Sequence, residues 1–155
     1  MLQAFIEAKC IAVAGVSRNG QGFGNYAVKA LRERGYDVLP VNAQVDTVGA
    51  EPCWRSLAAL PRRPDVVVTV VPPAEALRVV EEAARLGLTK VWLQQGSASP
   101  DAVALAKERG VELVSDACVL MHLKPTGFHA VHGWLARAFG SGVTTTTTSG
   151  SSGRG

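Results

Sequence analysis

The run Ile11-Ala12-Val13-Ala14-Gly15-Val16-Ser17, followed by Arg18-Asn19-Gly20-Gln21-Gly22-Phe23-Gly24, most constrains this chain. A wholly apolar stretch of this length reads as a strand buried on both faces, the kind found in the middle of a parallel sheet. It gives way to small residues, then to a glycine-rich loop, then to a helical pattern from about Asn25. In α/β proteins that order presents backbone N–H groups to a phosphate. The glycines permit close approach, and the helix that follows offers its positive end. A nucleotide-like or phosphorylated ligand is therefore expected.

The rest of the chain repeats the alternation of strand and helix. A short helix is expected up to Lys9, with Leu2, Phe5 and Ile6 on one face. Strands are expected at Ile11–Val16, Tyr36–Asn42, Asp65–Val71, Lys90–Gln94 and Val111–Val114. Helices are expected at Asn25–Arg34, Ala74–Leu86 and Asp101–Arg109, with a further short one around Arg55–Leu60. Pro40 cannot donate to a ladder, which predicts a place at the sheet edge or a strand end for its strand. Short connections between alternating elements predict a Rossmann-like doubly wound α/β fold. It has three layers and a parallel sheet of about five strands. Residues 1–139 would form this one domain. From Gly140 the chain is Ser, Thr and Gly with five consecutive threonines, a composition with nothing to bury, so residues 140–155 are expected to be a disordered tail.

Composition narrows the function classes. Of 155 residues, 47% are hydrophobic and the net charge is +3. That charge is too small and too scattered to predict nucleic-acid binding. No run approaches the ~20 apolar residues of a membrane span. Three widely spaced cysteines, Cys10, Cys53 and Cys118, predict no disulfide framework and a cytoplasmic location.

The glycine loop does not fit a dinucleotide fingerprint. Gly20 and Gly22 are followed by Asn25 where a third glycine belongs. The second strand ends Pro40-Val41-Asn42 without the carboxylate that binds a ribose 2′-hydroxyl. A Walker-type Gly-Lys-Ser/Thr is also absent. A glycine-rich surface loop with no ligand is the plain alternative.

The ordered set of motifs resembles the small coenzyme A-binding proteins, a stand-alone domain similar to the N-terminal domain of the succinyl-CoA synthetase α subunit. The resemblance rests on Val13-Ala14-Gly15-Val16-Ser17-Arg18, Tyr26-Ala27-Val28 and Gly35-Tyr36-Asp37-Val38-Leu39-Pro40-Val41-Asn42. It continues through Asp65-Val66-Val67, Val71-Pro72-Pro73-Ala74-Glu75, Val91-Trp92-Leu93-Gln94-Gln95-Gly96 and Asp116-Ala117-Cys118. It spans roughly Phe5 to Phe139.

The resemblance implies a ligand site at the carboxyl ends of the strands. Gly15, Val16, Ser17, Arg18, Gly22, Phe23 and Gly24 would hold the ADP phosphates of coenzyme A. Asn42 would sit near the ribose. Val71, Pro72 and Pro73 would line the adenine or pantetheine path, with Gln94 beside it. The chain departs from the family pattern at two places. Ala43-Gln44 follows Asn42 where a basic residue is common, and Ala117 replaces an arginine between Asp116 and Cys118. Arg18 and Lys29 are then the cations left for the 3′-phosphate.

These features predict a non-catalytic or regulatory protein that binds coenzyme A or an acyl-CoA. The alternatives are an enzyme, either a small NAD(P)-dependent oxidoreductase or a ligase subunit, and an interaction module that kept the fold and lost the ligand. Cys118, His122, His129 and His132 fall within fifteen residues. They could be zinc ligands, but their spacing matches no structural zinc pattern. The competing reading is a C-terminal helix, Phe128–Phe139, packed on the sheet layer or on a second copy of the chain, and no metal site is expected. Cys118 could be a reactive thiol or a small packed hydrophobe. Asp116 reads as a turn residue and Trp92 as core.

Overall fold

The computed structural model describes residues 1–122, all within one compact unit, Met1–Lys124. The expected helix at Phe128–Phe139, the tail from Gly140, His129 and His132 lie outside the described residues. Helix α1 (Leu2–Glu7) leads into β1 (Cys10–Ala14), α2 (Phe23–Glu33) and β2 (Asp37–Val41). A two-residue ribbon follows, β3 (Thr47–Val48) antiparallel to β4 (Glu51–Pro52). Then come β5 (Val66–Thr69), α3 (Pro73–Arg85), β6 (Lys90–Gln94), α4 (Pro100–Glu108), β7 (Glu112–Ala117) and a 3₁₀ turn (Val119–His122).

Five strands form a parallel sheet in the order β2-β1-β5-β6-β7. This is the doubly wound arrangement expected. The chain builds outward from β1 to β2, then crosses to the other side of β1 and continues β5, β6, β7. Winding in both directions puts helices on both faces. All five residues of β1 and all four of β5 are buried, as a sheet covered twice requires.

On one face Ala12, Ala14, Val67, Val91 and Leu93 pack with Ala76, Val80 and Ala83 of α3 and with Ala102 and Ala106 of α4. Small residues there let the helices lie close. The alternate strand residues serve the other face, where Trp92 meets Phe5 with ring centroids 5.0 Å apart. Phe5 is buried, but Leu2 is 44% exposed, so the expected apolar face of α1 reduces chiefly to Phe5.

Pro40 does lie on an edge strand. Its carbonyl points outward and accepts the Trp54 N–H at 3.0 Å, so its missing N–H also falls on the outer side and no β1–β2 bond is lost. Trp54 and Asn42 pair across the same edge, since the Asn42 N–H donates to the Trp54 carbonyl at 2.9 Å. That bridge covers β2.

Three expectations are corrected. No helix forms around Arg55–Leu60; single turns close there instead. Ser56 Oγ and the Ser56 carbonyl both take the Ala59 N–H, and Pro61 blocks continuation. The β3–β4 ribbon was not foreseen. The last strand runs to Ala117 rather than stopping at Val114 because it contains a bulge. Trp92 faces Val114, yet Gln94 faces Ala117. Asp116, at φ 59°, absorbs the extra residue, and Trp92 Nε1 donates to the Ala117 carbonyl at 3.0 Å.

Candidate functional site

Between β1 and β5 the winding direction changes, so the connections leaving the two strands pass to opposite faces of the sheet and leave a crevice between them. Open α/β sheets place ligands there. Gly15 makes the first turn possible. Its φ is +112°, and a Cβ on it would stand 2.4 Å from the Val70 carbonyl oxygen. Its N–H donates to the Val41 carbonyl at 3.1 Å, so one residue locks the ends of β1, β2 and β5 together. Gly24 performs the matching task from the helix: a Cβ there would come within 2.5 Å of the Gly15 carbonyl oxygen. The glycine that permits close approach of helix and loop is therefore Gly24, one residue before the position that a dinucleotide fingerprint assigns to its third glycine. Gly20 and Gly22 have positive φ and open space around them.

Asparagines hold the loop. Asn25 Oδ1 accepts the Ser17 N–H at 2.8 Å, and Asn25 Nδ2 returns a bond to the Ser17 carbonyl at 3.0 Å. Asn19 Oδ1 takes both Ser17 Oγ (2.6 Å) and the Gln21 N–H (3.0 Å). Asn42 Nδ2 donates to the Val16 carbonyl at 2.7 Å while its Oδ1 accepts the Gln44 N–H at 2.8 Å. Asn42 thus ties the β1 loop to the segment after β2. Gly22 precedes helix α2 as its cap and supplies no side-chain bond, leaving the N-terminal turn to an external anion where one is present.

A cleft of about 530 Å³ opens beside this loop. Its floor is Ala14, Gly15, Val16 and Val41. One wall is Asn42 to Gln44 with Arg55 to Leu57, and the other is Val70 to Pro72 with Glu75, Arg78, Val79 and Glu82 of α3. Its volume is in the range of small-molecule sites. Arg55 pairs with Asp46 through two bonds, Nε to Oδ1 at 2.7 Å and Nη2 to Oδ2 at 3.2 Å. That contact lowers the Asp46 carboxyl below the ordinary aspartate value and raises the arginine. Glu82 Oε1 accepts the Ala58 N–H at 3.2 Å. Arg78 is exposed and has no ion pair with the described residues.

Comparison with known proteins decides the family. A profile for a CoA binding domain matches residues 9–124. The chain belongs to the CoA-binding domain family. It is similar to a conserved hypothetical protein of known structure from Pyrococcus furiosus. The two are 37% identical with a TM-score of 0.68, over 73% of this chain and 97% of that one. An uncharacterized protein of Bacillus subtilis, YneT, is 28% identical over 72% of this chain and 83% of its own. The ADP-forming acetate–CoA ligase I of Archaeoglobus fulgidus is 28% identical over 73% of this chain. The chain spans only 18% of that ligase's length.

In this CoA-binding domain the expected site residues divide into groups. Gly15, Val16, Asn42, Val71 and Pro72 line the cleft. Ser17, Gly22, Phe23 and Gly24 belong to the adjoining loop and helix start, and Arg18 projects from that loop, exposed. Pro73 is the first residue of α3, just outside the cleft lining. Gln94 is 6% exposed and its Oε1 accepts the Val119 N–H at 2.9 Å, which fastens β6 to the 3₁₀ turn. Lys29 lines a separate cleft of about 570 Å³ between α2 and the β3–β4 ribbon.

Arg55 and Arg78 were not foreseen as lining residues. Arg78 had a readable signal, because it stands five residues past Pro73, on the stripe of α3 with Glu75, Val79 and Glu82. Arg55 had none, since its place depends on the Val41–Trp54 bridge. Among the described residues no group of three or more His, Cys, Asp or Glu side chains is placed to hold a metal ion. His122 packs over Trp92 with centroids 5.4 Å apart. No helix of the described residues is long and apolar enough to cross a membrane.

Proposed function

We propose that this domain binds coenzyme A or an acyl-CoA and performs no chemistry on it. The ADP pyrophosphate lies over the β1–α2 loop, near Arg18 and the uncapped start of α2. The adenosine occupies the cleft between Asn42 and Val71-Pro72. The observation that carries the reading is the junction at Gly15. Three strand ends and a helix meet there closely enough that no Cβ fits, beside an open cleft at the switch point of the sheet.

NAD is disfavoured by Asn42. The ribose-binding carboxylate of dinucleotide sites is replaced by a carboxamide already bonded to Val16 and Gln44. A binding role also suits the polar groups of the cleft, because Arg55 and Glu82 are both engaged in holding the wall together.

Titration calorimetry with coenzyme A, acetyl-CoA, NAD and NADP tests the assignment. Coenzyme A and acetyl-CoA should bind and the dinucleotides should bind more weakly. Equal or tighter NAD binding overturns it. Acetyl-CoA incubated with the protein should be recovered intact, and thioester loss above the buffer control would overturn the non-catalytic part.

A further inference from the structure

Coenzyme A carries on its adenosine ribose a 3′-phosphate, with roughly two negative charges, that NAD lacks. We infer that in this chain Arg55 and Arg78 read that phosphate from the two walls of the cleft. The inference rests on the coenzyme A reading above and adds the residues that would select for that ligand.

The need is plain from the loop itself. Between Gly15 and Gly24 the sole cation is Arg18, and the pyrophosphate competes for it. The segment after β2 continues Ala43-Gln44 and offers no charge. The cleft nevertheless has two guanidiniums. Arg55 follows the Trp54 bridge on one wall, and Arg78 sits on the second turn of α3 on the other.

Arg55 is already oriented. Asp46 holds it through Nε and Nη2, which uses two of its five N–H donors and leaves three for a ligand. Asp46 is not itself among the residues that line the cleft. Arg78 keeps its whole fork available to the cleft, with no ion pair among the described residues. Two planar forks suit a phosphomonoester, which accepts several charge-assisted bonds at once. Glu75 and Glu82 line the same cleft and offset part of the positive charge, so the preference for coenzyme A should be moderate.

The test compares coenzyme A with 3′-dephospho-coenzyme A on the wild-type protein and on Arg55→Gln, Arg78→Gln and Asp46→Asn, by calorimetry. The wild type should prefer coenzyme A by about tenfold or more. Each arginine variant should lose most of that ratio while its affinity for the dephospho form stays within about twofold. Asp46→Asn weakens the hold that orients Arg55 and should lower the ratio. Thermal melts of the three variants confirm folding, since all the altered side chains are exposed.

A wild type that binds both ligands equally overturns this inference and leaves coenzyme A binding standing. So does a ratio that moves in only one arginine variant or in neither. A wild type that binds neither ligand overturns both readings.

Discussion

Gly15→Ala should be the most damaging single-methyl change in the β1–α2 loop. Two separate costs fall on that position. The backbone sits at φ +112°, where an L residue is strained by about 1–3 kcal/mol. The new Cβ would lie 2.4 Å from the Val70 carbonyl oxygen, 2.7 Å from its carbon and 2.8 Å from Val71 Cγ1. The nearest of those partners is the backbone just past the end of β5, tied to β1 by the Val70 N–H donating to the Ala14 carbonyl at 2.7 Å, so it cannot swing away as a flexible side chain would. Overpacking of this kind costs about 1–3 kcal/mol. Alanine restricts the unfolded chain and returns about 0.4–1 kcal/mol. The net loss is about 1–5.6 kcal/mol, against a typical domain stability of about 5–15 kcal/mol.

Two neighbours separate the contributions. Gly22→Ala meets φ +103° but open space, so it carries the backbone cost alone. Gly24→Ala meets the Gly15 carbonyl oxygen at 2.5 Å, but alanine gains about 1 kcal/mol of helix propensity. Urea unfolding followed by circular dichroism measures all three. The order of destabilisation should be Gly15→Ala first, with both others well below it. Equal midpoints for Gly15→Ala and Gly22→Ala would falsify the claim that close approach of Val70 governs the junction.

Two further outcomes follow from the geometry. Arg18→Ala should weaken binding by about 1.5–3 kcal/mol, the range for a hydrogen bond to a charged group. The loss should be the same for coenzyme A and its 3′-dephospho form, because the proposed site puts Arg18 on the pyrophosphate; calorimetry that finds the loss confined to coenzyme A would move Arg18 to the 3′-phosphate. Asp65 Oδ2 accepts the Cys10 and Lys9 N–H groups at 3.0 and 2.8 Å, and those two bonds lower its carboxyl pKa. A depressed folded pKa stabilises the protein above the unfolded value of 3.8, and the gain is lost as pH falls through the folded value. Asp65→Asn should therefore cost about 1 kcal/mol at neutral pH, discounted for the residue's exposure, and less in acid. Melting temperatures from pH 7 to pH 3 check the sign, and a gap between variant and wild type that widens in acid would refute it.

Much of the fold was legible because its signals are local. Val66 to Val68 and Ile11 to Val13 are apolar without alternation, which marks strands covered on both faces. Pro73 and Pro100 sit in the first turns of α3 and α4, and Ser99 Oγ accepts the Ala102 N–H at 3.1 Å as an ordinary cap. What the sequence hid depends on distant partners. The ribbon at Thr47–Pro52 is two residues per strand, too short for any period. The Asp116 bulge arises from pairing with β6, a register that Asp116 and its neighbours do not encode locally. Arg55–Leu60 has helix-forming residues, but Ser56 bonds its own turn and Glu82 reaches across from α3 to take the Ala58 N–H.

The site was legible in the same measure. The residues expected in the loop and after β2 and β5 gather at one crevice because the connections leaving neighbouring strands part to opposite faces wherever a parallel sheet reverses its winding. Gln94 shares that end of the sheet yet turns inward. A carboxamide there is needed by Val119 once the bulged β7 has carried the chain past it. The charges were the hidden part, since cations are recognised in sequence only where a motif fixes their offset. Arg55 reaches the cleft through an edge bridge and Arg78 through the pitch of α3. A ligand phosphate is blind to such routes: it responds to where the guanidiniums end up, and two walls that each bring one can replace a basic residue absent from a loop.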